Sequence, residues 1–158
     1  MIGITAKKKL RDLRWKKNQS IHFMPSLIRK LFHKTEAPKD GLTQPQREAI
    51  VDLLNCCMYA DNLVFLAEDR VITDTVAKFN WDPKIPFDQF DARSINNART
   101  ASENQVYRDQ FLAWIRDRLG TAAVKGQALE LCQELFLADG ARSDEEDAVL
   151  QNLRKLLE

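Results

Sequence analysis

Residues 59–69 read Tyr-Ala-Asp-Asn-Leu-Val-Phe-Leu-Ala-Glu-Asp, and residues 137–147 read Leu-Ala-Asp-Gly-Ala-Arg-Ser-Asp-Glu-Glu-Asp. The two stretches align without a gap at an offset of 78 (139 − 61 and 146 − 68), so that Asp61 falls on Asp139 and Glu68 on Glu146. The apolar frame around them follows the same offset: Leu53 on Leu131, Cys57 on Leu135, Val71 on Val149 and Ile72 on Leu150. In each copy a helical pattern ends at Ala-Asp, a short loop follows, and a new helix opens at an acidic pair. A duplicated helix–loop–helix unit with no strand alternation on either side makes the expected fold class all-α.

The segments outside the repeat agree. Thr43-Gln-Pro-Gln46 has the form of a capping box and introduces Ile50, Leu53, Leu54, Cys57 and Met58 at helical spacing. That helix is expected to end near Asp61-Asn62. A second follows Glu68-Asp69 with Ile72, Val76 and Phe79 as its apolar stripe, and the apolar run at 63–66 reads as a short buried linker between the two. Pro83 breaks the chain, because its ring disfavours helix at Asp82. Pro86 then opens a third helix carrying Phe87, Phe90 and Ile95. Ser102-Glu-Asn-Gln105 is a further capping-box pattern, ahead of Tyr107, Phe111, Trp114, Ile115 and Leu119, and Gly120 marks that helix's end. Ala128, Leu131, Cys132, Leu135 and Phe136 form the face of a helix that stops at Asp139-Gly140. Ser143-Asp-Glu-Glu146 caps the last one, with Val149, Leu150, Leu153 and Leu157 inward. Trp81, Phe111, Trp114 and Phe136 are expected in the core rather than around a ligand.

The net charge of +1 hides a division of the chain. Residues 1–41 carry eleven basic and three acidic side chains, a balance of +8; of the 24 basic and 23 acidic in all, thirteen and twenty remain for residues 42–158, a balance of −7. The expected organisation is a basic N-terminal arm over 1–41, flexible or partly helical, and one acidic helical domain over 42–158. Within the arm, residues 27–34 are basic and amphipathic and Trp15 is an interfacial type of residue. A solvated tail, contact with an anionic membrane surface, and contact with nucleic acid, in that order, stay open for it. Met24 is an alternative start, which would leave residues 1–23 outside the native protein.

No apolar run approaches the roughly 20 residues of a membrane span, and the basic N-terminus lacks the apolar stretch of a secretory signal. Three cysteines with no Cys-x-x-Cys fit free thiols in a reducing compartment, buried on apolar faces and inert. The expected location is therefore cytoplasmic, with peripheral attachment at the inner face of a membrane through the arm left open. The two histidines, His22 and His33, lie in the arm, and neither a Gly-x-Ser-x-Gly elbow nor a phosphate-cradling Gly-rich loop is present. Those absences argue against an enzyme.

A helix followed by Ala-Asp-Gly, with Glu seven residues after the Asp and opening the next helix, resembles the signature of the TerB-like (tellurite-resistance TerB) family. Ala60-Asp61-Asn62 with Glu68-Asp69 resembles the variant with Asn in place of Gly. The similarity spans residues 42–158. It departs from the pattern at Asn62 and at Phe65, which stands where the second copy has the polar cap Ser143. The resemblance implies a single compact domain of about seven helices built as two halves about a pseudo-two-fold. It further implies a divalent-metal site drawn from Asp61, Glu68, Asp139 and Glu146, with Asp69 and Asp147 next in line. It also implies a place in tellurite-resistance and stress-response systems near the membrane, working through protein partners.

Carboxylates gathered at helix junctions suit a hard cation on their own account, with Ca2+ first and Mg2+ or Mn2+ as alternatives. The loop is not an EF-hand, because Gly140 comes directly after Asp139. Two plainer accounts stay open beside it. Acidic residues at a helix start also cap it and complement its dipole. The domain is otherwise expected to serve as a metal-free helical protein-interaction module.

Overall fold

The computed structural model describes residues 40–60, 66–138, 140 and 142–158, with Leu66 described by its backbone alone. The arm with its 27–34 stretch, residues 61–65 of the first loop (Asp61 and most of the apolar linker among them), and Asp139 and Ala141 of the second lie outside these. The described residues are all-helical, with six helices and no strand: α1 Gln44–Met58, α2 Leu66–Lys78, α3 Phe87–Glu103, α4 Gln105–Leu119, α5 Ala122–Phe136 and α6 Asp144–Leu157. Among them no helix is long and apolar enough to cross a membrane.

The helix starts follow local chemistry. The Thr43 N–H donates to Gln46 Oε1 at 2.9 Å, closing the capping box ahead of α1, and Gln46 Nε2 donates onward to the Leu119 carbonyl at the end of α4 at 3.1 Å. At α6 the Ser143 N–H donates to Glu146 Oε2 at 2.6 Å while the Glu146 N–H donates to Ser143 Oγ at 3.2 Å. α4 starts differently from the sequence expectation. Its cap is Asn104, whose side chain accepts from the Tyr107 N–H at 3.0 Å, and Ser102 stays in the last turn of α3, donating to the Arg99 carbonyl. Ala98 and Ala101 are buried, so packing carries α3 past Ser102, and Asn is at least as good a cap. Gly120, at φ +73°, ends α4 in a conformation that a Cβ would strain.

Ten of the fifteen residues of α1 are buried, so this helix has no solvent face. It packs against α2, α3, α4 and α5, and α6 closes on α5 and α4. Ile50, Leu53, Leu54, Cys57 and Met58 meet Ile115 and Leu119 of α4, Cys132, Leu135 and Phe136 of α5, and Leu150, Leu153 and Leu157 of α6 in one cluster. Trp114 departs from its expected place in the core and is 51% exposed. The core stripe of α4 runs Phe111, Ile115, Leu119, and Trp114 sits beside it, stacked on Phe111 with ring centroids 5.8 Å apart and covered by the Arg118 guanidinium. Trp81 is half-buried, edge-on to Phe87 and Phe90, with its ring N–H on the Ile85 carbonyl.

A helix buried on all sides must pair its polar side chains. Arg47 forms two hydrogen bonds to Asp40, at 2.7 and 2.6 Å, and Asp40 also accepts from the Leu42 and Asn80 N–H groups. Asp52 is in close contact with Arg118, which also lies 3.8 Å from Glu48. Asn55 donates to Asp91 and to Ser94 Oγ, both on α3. Burial pushes the Asp52 carboxyl up, against the pull of Ser94 and Arg118. The Arg47 guanidinium, with the backbone donors, holds Asp40 well below the ordinary carboxylate value of 3.8.

Because the folded-state pKa of Asp40 is depressed, its contribution is fully present above the unfolded value and is lost as the pH falls through 3.8 towards the lower folded value. Asp40→Ala is expected to cost about 3 kcal/mol at neutral pH by stranding the buried Arg47. Asp40→Asn is expected to lose part of that and to flatten the acid limb of stability, read as urea midpoints between pH 7 and pH 3. An acid limb as steep as that of the unaltered chain would show that Asp40 is not the linked group.

Candidate functional site

The two helix–loop–helix junctions match in their boundaries. Starts of α1 and α5, ends of α1 and α5, and starts of α2 and α6 all differ by 78 (122 − 44, 136 − 58, 144 − 66). The ends also close alike: the Ala60 N–H donates to the Cys57 carbonyl and the Ala138 N–H to the Leu135 carbonyl, both at 3.1 Å. Gly140, in the second loop, has a φ of +110°, a conformation that a Cβ would strain.

The junctions share one small cavity of about 80 Å³, lined by Cys57, Ala60, Glu68, Phe136, Glu145, Glu146 and Val149. Glu68 and Glu146, aligned by the repeat, thus line the same space. Glu68 is the unexpected one. It is only 5% exposed, on the face of α2 that also buries Ile72 and Thr75 and half-buries Phe79. Glu146 is half-buried and does two things at once, closing the Ser143 capping box and lining the cavity.

The remaining sequence candidates separate. Asp69 and Asp147 are exposed and do not line the cavity; Asp147 pairs with Arg142 at 3.3 Å. Asp61 and Asp139 lie outside the described residues, directly after Ala60 and Ala138 in sequence. Glu145 joins the cavity although the repeat does not single it out, because Ala67 stands at the matching position (145 − 78). The run of four acidic residues in the first turn of α6 is the signal that could have raised it. Among the described residues, no three His, Cys, Asp or Glu side chains are already arranged to hold a metal ion. Among the described residues, the side chains that line the cavity offer carboxylate oxygens and one buried thiol, with apolar walls at Phe136 and Val149. Among the described residues that line it there is no histidine, and the nearby Ser143 hydroxyl is engaged as the α6 cap.

No protein-family model, curated protein or solved structure matches this chain.

Capping and cavity lining by residue 146 can be separated, because Gln46 already performs the capping role at α1. Ser143→Ala is expected to lower stability by about 1 kcal/mol. Glu146→Gln is expected to stay within about 0.5 kcal/mol of the unaltered chain, since Gln serves equally in a capping box. Chemical denaturation in chelator-containing buffer reads both; a Glu146→Gln loss as large as that of Ser143→Ala would mean that the charge itself holds the helix start.

Proposed function

We propose that this chain is a non-catalytic TerB-like module that holds a divalent cation, Ca2+ before Mg2+ or Mn2+, between its two repeated helix junctions. In this reading α1–α2 and α5–α6 are the two halves of a pseudo-two-fold repeat within a fold of about seven helices. The observation that carries it is the placement of Glu68 and Glu146, one from each junction, around a single cavity with Glu145 beside them. The common offset of 78 in the helix boundaries supports the repeat.

Three carboxylates around a space of about 80 Å³ repel one another, and a cation among them converts that repulsion into attraction. Ca2+ takes 6–8 oxygen ligands, so the three glutamates would be an incomplete set. Asp61 and Asp139, loop carbonyls and water are the donors we assign to the rest. Binding to the folded state alone stabilises it by about 2.7 kcal/mol at one hundred times the dissociation constant. A module of this kind acts by presenting an ion-dependent surface to protein partners in a stress-response or membrane-associated assembly.

Titration calorimetry with Ca2+, Mg2+ and Mn2+, paired with thermal melts, tests this. At least one ion is expected to release or absorb heat and to raise the melting temperature. Asp61→Ala, Asp139→Ala and Glu146→Gln are each expected to abolish or strongly weaken the response, the last with its cap intact. Absence of heat with all three ions would defeat the proposal.

One set of side chains favours a second reading. Val106 and Trp114 on α4 are 68% and 51% exposed, which suits a metal-free helical interaction module. In that reading the basic arm contacts an anionic membrane or a partner. Ion-insensitive melting together with binding of the full chain to anionic vesicles would select it.

A further inference from the structure

Cys57 on α1 and Cys132 on α5 face each other in the core with their sulfurs 3.5 Å apart, and both are free thiols. They are 2% and 0% exposed. We propose that Cys57 and Cys132 are a disulfide-forming pair, oxidised by a small oxidant of the peroxide class to a bond that staples α1 to α5.

The surroundings give the chemistry an order. Cys57 lines the acidic cavity and also a second cavity of about 420 Å³, which lies among α1, α3, α4 and α6 and is walled by Ala98, Ala101, Leu112 and Leu153. Cys132 lines neither. A molecule the size of hydrogen peroxide therefore reaches Cys57 before Cys132. The Cys57 sulfur attacks one peroxide oxygen, the O–O bond breaks, and a sulfenic acid and one water result. The Cys132 sulfur then attacks the Cys57 sulfur, the S–O bond breaks, and a second water leaves. In sum, two thiols and one hydrogen peroxide give one disulfide and two waters; the sulfurs are oxidised and the peroxide is reduced.

The first step is slow, since the Cys132 contact and burial both keep the Cys57 thiol protonated. The second is fast, because the attacking sulfur is already at contact distance. Cys56 lines the larger cavity too, but a bond to its neighbour Cys57 would distort the peptide between them inside α1. The pairing proposed is thus 57 with 132. The bond would close a long loop and fix the last turn of α1, which forms the wall common to the two cavities.

The test treats the full chain with hydrogen peroxide in the presence of a chelator. Intact mass, alkylation under denaturing conditions and non-reducing peptide mapping follow. The expected product is a monomer lighter by two hydrogens, with Cys56 the one thiol still alkylated, and with a melting temperature raised until dithiothreitol is added. Cys56→Ala is expected to leave this product unchanged. Cys132→Ala is expected to arrest the reaction at a dimedone-reactive sulfenic acid on Cys57. Three alkylatable thiols after prolonged exposure, a bond that includes Cys56, or a bond between two chains would each overturn the proposal.

Discussion

The burial of α1 on every side is the constraint from which the rest of the molecule follows. A helix without a solvent face cannot leave the charges of Arg47 and Asp52 or the amide N–H groups of Asn55 unpaired, since each stranded group would cost a large fraction of a small domain's stability. Each takes its partner from a different neighbour. Arg47 uses Asp40, which in turn holds the backbone just past α2 at Asn80. Asp52 uses Arg118 of α4, and Asn55 uses Asp91 and Ser94 of α3. Apolar packing brings these helices together without direction, and the polar pairs fix which rotation each adopts.

With α1 held in this way, its C-terminal turn becomes the meeting point of the two junctions. Cys57 and Ala60 line the cavity together with Glu68 of α2, Phe136 of α5 and Glu145, Glu146 and Val149 of α6. The placement of Glu68 is the consequence of interest. Its helix runs with Ile72, Thr75 and Phe79 towards the core, so a carboxylate one turn before Ile72 is carried inwards with them. The matching position in the aligned second stretch, Glu146, is also acidic.

Much of the architecture was legible in the sequence because it is written in local chemistry. Period-3.6 spacing gave the helices, Thr43 and Ser143 gave two of their starts, and Gly120 gave an end. The inward placement of Glu68 was also present, as a spacing of four to Ile72, but an acidic residue at a helix start reads first as a cap. What was not legible depends on tertiary partners. Arg47, Asp52 and Asn55 look like a solvent face until Asp40 of the preceding turn and the neighbouring helices α3 and α4 supply their counter-groups. Trp114 looks like core until Arg118, pinned by Asp52, covers its ring from outside. Ser102 looks like a cap until the burial of Ala101 carries α3 beyond it. The approach of Cys57 to Cys132 needed the packing of α1 on α5, which no one-dimensional pattern encodes.

The candidate site depends on Glu68 and Glu146 lining one space. A double-mutant cycle on the unfolding free energy, with glutamine at each position alone and at both, measures it directly in chelator-containing buffer. The two substitutions are expected to be non-additive by about 0.5 kcal/mol or more, because neutralising one carboxylate removes repulsion that the other would otherwise feel. Additivity within about 0.3 kcal/mol would place the two side chains in separate environments and contradict the account.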